Sequence, residues 1–178
     1  MVIRHAEPTA DAAGCLAIYG PFAAETAVSF EDEPPTPNEF AHRIERINRT
    51  HAFLVAEHDG EIAGFAYAGP FRLRAAYRYT AEDSVYIHPD QMGRGLGKAL
   101  VAEVIAACAA LGVRQMIAVI GDAANAGSIG LHRALGFRDA GVGHAFGYKF
   151  GRWVDVVWMQ KTLGLGSDEL PNGQGLAL

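Results

Sequence analysis

The chain has 178 residues, half of them hydrophobic, and a net charge of -5. That is enough apolar material for one buried core, and the acidic balance leaves no basic footprint for nucleic acid. No apolar run reaches membrane-spanning length and no secretory apolar segment opens the sequence, which predicts a cytoplasmic protein with no membrane partner.

Val2 to His5 reads as a short first strand. Thr9 to Asp11 offers N-caps for a helix through Leu16, Ile18, Tyr19 and Phe22, expected to break or kink at Gly20-Pro21. Val28 to Phe30 is predicted extended, with a loop at Glu31 to Pro35. Thr36-Pro37-Asn38-Glu39 is a capping box with proline at the first helical position. Its helix should run to about Arg49 with Phe40, Ile44 and Ile47 inward. Ala52–Ala56 and Ile62–Ala68 are predicted strands around a hairpin turn at His58-Asp59-Gly60-Glu61. Phe71 to Tyr79 is a loop carrying Arg72, Arg74 and Arg78, interleaved with Tyr77 and Tyr79.

The most informative stretch follows. Ser84-Val85-Tyr86-Ile87-His88 is β-branched and aromatic, a central strand that begins near Glu82 and ends at Pro89. Met92-Gly93-Arg94-Gly95-Leu96-Gly97-Lys98 then opens a helix whose apolar face is Leu100, Val101, Val104, Ile105, Cys108 and Leu111, closed by Gly112. A strand feeding a glycine turn at a helix N-terminus is an anion site. The first helical amides are unpaired and carry partial positive charge, and glycine lets a phosphate approach the backbone. Arg94 and Lys98 add charge. A Walker loop fails because Ala99 follows Lys98, and the dinucleotide fingerprint fails because Gly93, Gly95 and Gly97 alternate strictly.

Gln115 to Ile120 is a buried strand, Asn125 can cap a helix to Leu135 with Gly136 at its end, and Gly141–His144 and Trp153–Gln160 read as two last strands. The tail from Gly164 to Leu178 is expected to be frayed, leaving a domain over residues 1–163. Cys15 and Cys108 lie in apolar helical patterns and read as buried hydrophobes, and no His or Cys spacing suggests a metal.

The glycine turn resembles the pyrophosphate loop of acetyl-coenzyme A enzymes, Q/R-x-x-G-x-G/A, with Met92 at the Gln/Arg place and Gln91 one place early. The stretch and the order of elements are similar to the GNAT superfamily of N-acetyltransferases. The resemblance narrows at Phe53–Glu57, Asp59–Gly64, Ala66–Pro70, Tyr79–Tyr86 and Gly147–Asp155, which resemble the phosphinothricin N-acetyltransferase family. It implies an α/β fold with a mixed sheet flanked by helices, splayed between the central strand and the next one. It also implies acetyl-CoA as co-substrate, a homodimer, and an amino-acid-like acceptor such as phosphinothricin, methionine sulfone or methionine sulfoximine.

An amine must lose a proton before it attacks a thioester, which calls for a base. Glu82 is the expected base and matches the family glutamate, with Asp83 and Glu31 as further candidates. Main-chain donors of Val85, Tyr86 and Ile87 are positioned for the oxyanion and the pantetheine amides. In Asn125-Ala126-Gly127-Ser128-Ile129-Gly130-Leu131-His132, His132 stands where many GNAT enzymes carry a tyrosine that protonates the leaving thiolate. A structural histidine is the alternative there. With Gly93, Arg94, Gly95, Leu96, Gly97 and Lys98, the resemblance gives Asn125 and Ser128 to the coenzyme, though Asn125 also reads as a plain cap. Arg72 and Arg74, beside Tyr79, suit a substrate carboxylate, or form a solvated basic loop. Phe30, Lys149 and Trp153 resemble positions lining the substrate pocket, and Trp153 equally suits packing or a dimer contact. The expected reaction is direct acetyl transfer without an acyl-enzyme. A peptide N-acetyltransferase and a non-catalytic coenzyme A sensor are the alternatives.

Overall fold

The capping box at Thr36 forms as the sequence specifies. Thr36 accepts from the Glu39 amide and Glu39 accepts from the Thr36 amide, starting a helix that buries Phe40, Ile44 and Ile47. In the computed structural model, which describes residues 1–171, this is α2 (Pro37–Asn48) in the order β1 (Val2–His5), α1 (Pro8–Glu25), α2, β2 (Phe53–His58), β3 (Glu61–Pro70), β4 (Thr80–Ile87). There follow α3 (Leu96–Ala110), β5 (Gln115–Gly121), α4 (Ala126–Ala134), β6 (Arg138–Lys149) and β7 (Arg152–Thr162).

The seven strands form one sheet in the order β1-β2-β3-β4-β5-β7-β6. Every neighbouring pair is antiparallel except β4 and β5, which are parallel because α3 crosses between them. Alternation along the strands divides the core. Phe53, Val55 and Phe65 face α1 and α2 with Tyr19, Phe40 and Ile44. Leu54, Ala56, Met116 and Met159 face α3 with Leu100, Val101 and Cys108. The β2–β3 turn puts Asp59 at φ +52° and Gly60 at +83°, the left-handed pair that a two-residue hairpin requires.

Several boundaries differ from expectation. Helix α1 does not break at Gly20-Pro21. It runs unbroken to Glu25, because residues on both sides of Pro21 (Ile18, Tyr19 and Ala23) are buried in one core. Its N-cap is Glu7, not Thr9 to Asp11, since Pro8 starts the helix. Val28 and Ser29 form bends, not a strand. Strands β6 and β7 are longer than predicted and meet in a turn at Phe150 and Gly151, both with positive φ. Of the expected tail, residues 164–167 form turns beside the buried Leu163, closed by Gly166 N–H to the Leu163 carbonyl and Asp168 N–H to the Leu165 carbonyl. Residues 172–178 lie outside the described residues.

Candidate active site

Strands β4 and β5 pair from Thr80–Gln115 to Asp83–Ala118 and no further, although they continue to Ile87 and Gly121. Strand β3 stays paired to the other edge of β4 throughout. The sheet is therefore splayed beyond Asp83, and the β4 edge from Ser84 to Ile87 carries main-chain donors and acceptors with no partner on β5.

A cavity of about 460 Å³ fills this splay. Its walls are Ser84 to Ile87 on one side and Ala118 to Gly121 on the other. At one end lie Gln91, Met92, Gly93, Gly95, Gly97 and Lys98. Gly93 and Gly95 adopt φ +75° and +80°, where a side chain would be strained, and Gly95 directly precedes α3 without a side-chain cap. Ala99 N–H is the first to close on the Gly95 carbonyl, so the Leu96, Gly97 and Lys98 amides face outward. Gly97 serves packing instead. A Cβ there would come within 2.6 Å of the Leu131 side chain, so its absence seats α4 on α3. These features suit the diphosphate and extended arm of coenzyme A. Arg94 does not line the cavity; its guanidinium donates to Gln91 Oε1 at 3.1 Å.

Ser128 and His132 reach the same cavity from α4, and Asn125 caps that helix through a 3.1 Å bond from the Ser128 amide to its side-chain oxygen. His132 Nδ1 lies 2.8 Å from the Ser128 carbonyl, which can only accept, so Nδ1 carries a proton. Its Nε2 lies 3.0 Å from Asp83 Oδ2, and both side chains are buried. A neutral imidazole would then set a lone pair against a carboxylate, so a second proton sits between the two. Burial pulls the His132 pKa down, but the Asp83 hydrogen bond and charge and the Ser128 carbonyl outweigh it and the net shift is upward. Sequence reasoning weighed Asp83 as a base and missed this pairing. The two residues stand 49 apart, and nothing local links them.

A second cavity, about 530 Å³, opens on the opposite face of β4. It is lined by Glu82, Ser84 and Tyr67 on the sheet, by Gly69, Pro70 and Leu73, and by Arg46, Ile47, Arg49, Thr50 and His51 at the end of α2. Ser84 belongs to both cavities, so the two meet at that residue. Gly69 pairs with Glu82 across the sheet, and a Cβ there would meet nothing within 4 Å, which leaves the space beside Glu82 open. Burial pushes the Glu82 carboxyl above its ordinary value, against the pull of Arg72 and with a smaller push from Asp83. Arg46, Arg49, Thr50, His51 and Tyr67 were not singled out in the sequence. For the four at the end of α2 the only signal was nearness to that helix's hydrophobic face, and for Tyr67 its place in the family-like segment Ala66–Pro70.

The structure does not gather the remaining expected substrate residues into either cavity. Arg72 lies over the Phe71 ring at 4.4 Å and donates to the Phe71 carbonyl, and Arg74 precedes a short 3-10 turn. Tyr79 uses its carbonyl to hold the Arg114 and Gln115 amides. Phe30 lies across Gly147, and Trp153 is exposed beside Tyr148. Lys149 requires a correction. Its buried ammonium donates to the carbonyls of Ala23, Ser29 and Glu31, at 2.5, 2.8 and 2.8 Å. All three donors are spent pinning the last turn of α1 and the segment after it to β6, leaving none for a substrate. Among the described residues no group of three His, Cys, Asp or Glu could hold a metal, and no helix is long and apolar enough to cross a membrane.

Known proteins are similar to this chain in sequence and fold. The model of the acetyltransferase (GNAT) family matches residues 13–137. A phosphinothricin N-acetyltransferase of Alcaligenes faecalis is 45% identical over 162 residues, 90% of this chain and 82% of that protein. An L-methionine sulfoximine/L-methionine sulfone acetyltransferase of Pseudomonas aeruginosa is 40% identical over 156 residues, 86% of this chain and 90% of that protein. The crystal structure of a phosphinothricin acetyltransferase from Sinorhizobium meliloti in complex with AcCoA superposes with a TM-score of 0.91 at 42% identity, covering 98% of this chain and 94% of that one. With its splayed sheet, glycine turn and near-complete coverage, the chain belongs to the acetyltransferase (GNAT) family.

Proposed function

We propose that the chain transfers the acetyl group of acetyl-CoA to the α-amine of a small amino-acid-like acceptor of the phosphinothricin, methionine sulfone or methionine sulfoximine type. One observation carries this reading: the cofactor cavity and the Glu82 cavity lie on opposite faces of β4 and touch at Ser84. An amine beside Glu82 is thus next to the end of a chain laid along the splay.

Acetyl-CoA supplies a thioester there, with an electrophilic acyl carbon and a sulfur that departs. The Gly93–Lys98 turn holds the diphosphate on main-chain amides, aided by Lys98. The unpaired β4 edge from Val85 to Ile87 holds the arm and offers an N–H to the oxyanion. Glu82, with its raised pKa, takes the proton from the acceptor's ammonium, and a carboxyl titrating closer to neutrality is better matched to that proton transfer. The Asp83–His132 pair keeps a proton in the cavity wall and is the source we assign to the departing sulfur. Arg72, whose charge reaches Glu82, is the ligand we assign to the acceptor's carboxylate, with Arg74 and Tyr79 on the same loop.

A homodimer accounts for the outer face of β6 and β7. Val142, Phe146, Tyr148, Phe150 and Trp153 are 48–65% exposed there, an apolar surface that a second copy would cover. In that assembly Phe30 and Trp153 would border the acceptor cavity. Two free buried thiols, Cys15 and Cys108, suit a cytoplasmic setting.

A thiol-release assay across amino acids and peptides tests the reading. Turnover of methionine sulfone or phosphinothricin above that of peptides is the expected result. Turnover of peptides alone would transfer the assignment to a protein N-acetyltransferase, and binding without turnover of any amine to a sensor.

A further inference from the structure

Among the described residues two buried side-chain atoms lack a hydrogen-bond partner, Asp83 Oδ1 and His51 Nε2. Their residues line different cavities, Asp83 the cofactor cavity and His51 the one containing Glu82. Buried polar atoms are nearly always paired in a folded protein, so an orphan in a cavity wall points to a ligand that completes it.

His51 is 6% exposed and follows directly on the last turn of α2, its amide bonded to the Ile47 carbonyl at 2.8 Å. Its Nδ1 is 2.6 Å from Thr50 Oγ1. Burial lowers its pKa, which keeps the ring neutral. In the tautomer in which the Thr50 hydroxyl donates to Nδ1, the remaining ring proton sits on Nε2 as an unused donor. Arg46 and Arg49 lie at the rim of the same cavity. Arg49 is paired with Glu45 at 2.8 Å, whereas Arg46 makes no ion pair among the described residues. In that tautomer the α2 wall of the cavity offers donors at His51 and Arg46, and the β4 wall carries the Glu82 carboxyl. Gly69, which adds no side chain between them, leaves the span open.

We infer that this α2 wall is the side-chain subsite of the acceptor. His51 Nε2–H and the Arg46 guanidinium donate to the oxygen atoms of a tetrahedral phosphinate- or sulfone-type group at the end of the acceptor's side chain, while the amine lies at Glu82. The inference rests on the reading of this cavity as the acceptor site. It adds the residues that distinguish an oxygen-bearing side chain from a plain thioether or alkyl one. Such discrimination is strong where a buried donor is left unpaired by the wrong substrate.

The test is the ratio of kcat/KM for methionine sulfone to kcat/KM for methionine, measured with acetyl-CoA on the full chain. Both acceptors carry the same α-amine and carboxylate, so the ratio reads only the side-chain group. His51→Leu should reduce the ratio by about tenfold or more, and His51→Gln, which restores an N–H donor, should recover part of it. Arg46→Gln, at an exposed position that does not endanger the fold, should lower it as well. Should His51→Leu fail to fold, Arg46→Gln carries the test. A ratio unmoved by these substitutions, in an enzyme that acetylates both amino acids, would overturn the subsite and leave the acceptor reading standing. A wild-type protein that acetylates neither would overturn both.

Discussion

His132 Nε2 and Asp83 Oδ2 lie 3.0 Å apart in the buried wall of the cofactor cavity, with His132 Nδ1 bonded to the Ser128 carbonyl on its other side. The imidazole is held between two acceptors, and its pKa is raised. Because the folded value exceeds the ordinary value of about 6.5, the pair's contribution to stability is full below that ordinary value and is lost as pH rises through the folded value. Asp83→Asn should leave burial dominant and bring the His132 pKa below 6.5, at a cost of about 1–3 kcal/mol at acidic pH. NMR titration of the His132 ring and denaturant melts across pH check both; a His132 pKa unchanged in Asp83→Asn would dismiss the pairing.

Glu82→Gln should reduce kcat by about 10²- to 10⁴-fold near neutral pH while acetyl-CoA affinity is retained. Steady-state kinetics with calorimetry of the cofactor separates the two. Unaltered turnover would reject Glu82 as the base.

Arg72 pulls the Glu82 pKa down against burial. Arg72→Gln should move the acid limb of the kcat/KM profile to higher pH, because the carboxylate loses its opposing charge. If Arg72 also binds the substrate carboxylate, KM for amino acids should rise in the same variant, with amines that lack a carboxylate spared.

Gly95 sits at φ +80° ahead of α3, with open space where a Cβ would go. Gly95→Val should weaken acetyl-CoA binding through backbone strain and a blocked approach to the amides, about 1–3 kcal/mol or roughly 5- to 150-fold in Kd. Calorimetric titration reads this directly, and a Kd within twofold of wild type would speak against the turn as the diphosphate seat.

Lys149→Met should act on stability rather than on substrate binding. It would leave the carbonyls of Ala23, Ser29 and Glu31 without their donor, each costing about 1–3 kcal/mol to the extent that water cannot replace it. A lower Tm and faster amide exchange over residues 26–31 are expected. An unchanged Tm with a raised acceptor KM would return Lys149 to the pocket.

Much of the fold was legible where local chemistry dominates. The capping box at Thr36, the left-handed turn at Asp59-Gly60 and the glycine stop at Gly112 each depend on a few adjacent residues, and each formed. The glycine turn ahead of α3 was legible for the same reason, since Gly93 to Lys98 are contiguous and its shape depends on the main chain. The expected break of helix α1 at Pro21 did not form because burial on both sides outweighs one missing hydrogen bond. Lys149 was misread because its partners lie 118 to 126 residues away.

Local chemistry alone specified the alternation of strands and helices, the glycine turn ahead of α3, and the presence of Glu82 and His132 within their motifs. What each of them faces came from the assembled sheet and helices. In a strand, neighbours point to opposite sides, so Glu82 and Asp83 are adjacent in the chain yet serve different cavities. Which residues line each cavity depends on where α2 and α4 dock, and docking is set by the packing of distant residues. For that reason Asp83 could be paired with His132, and His51 placed opposite Glu82, only once the sheet and its helices were assembled.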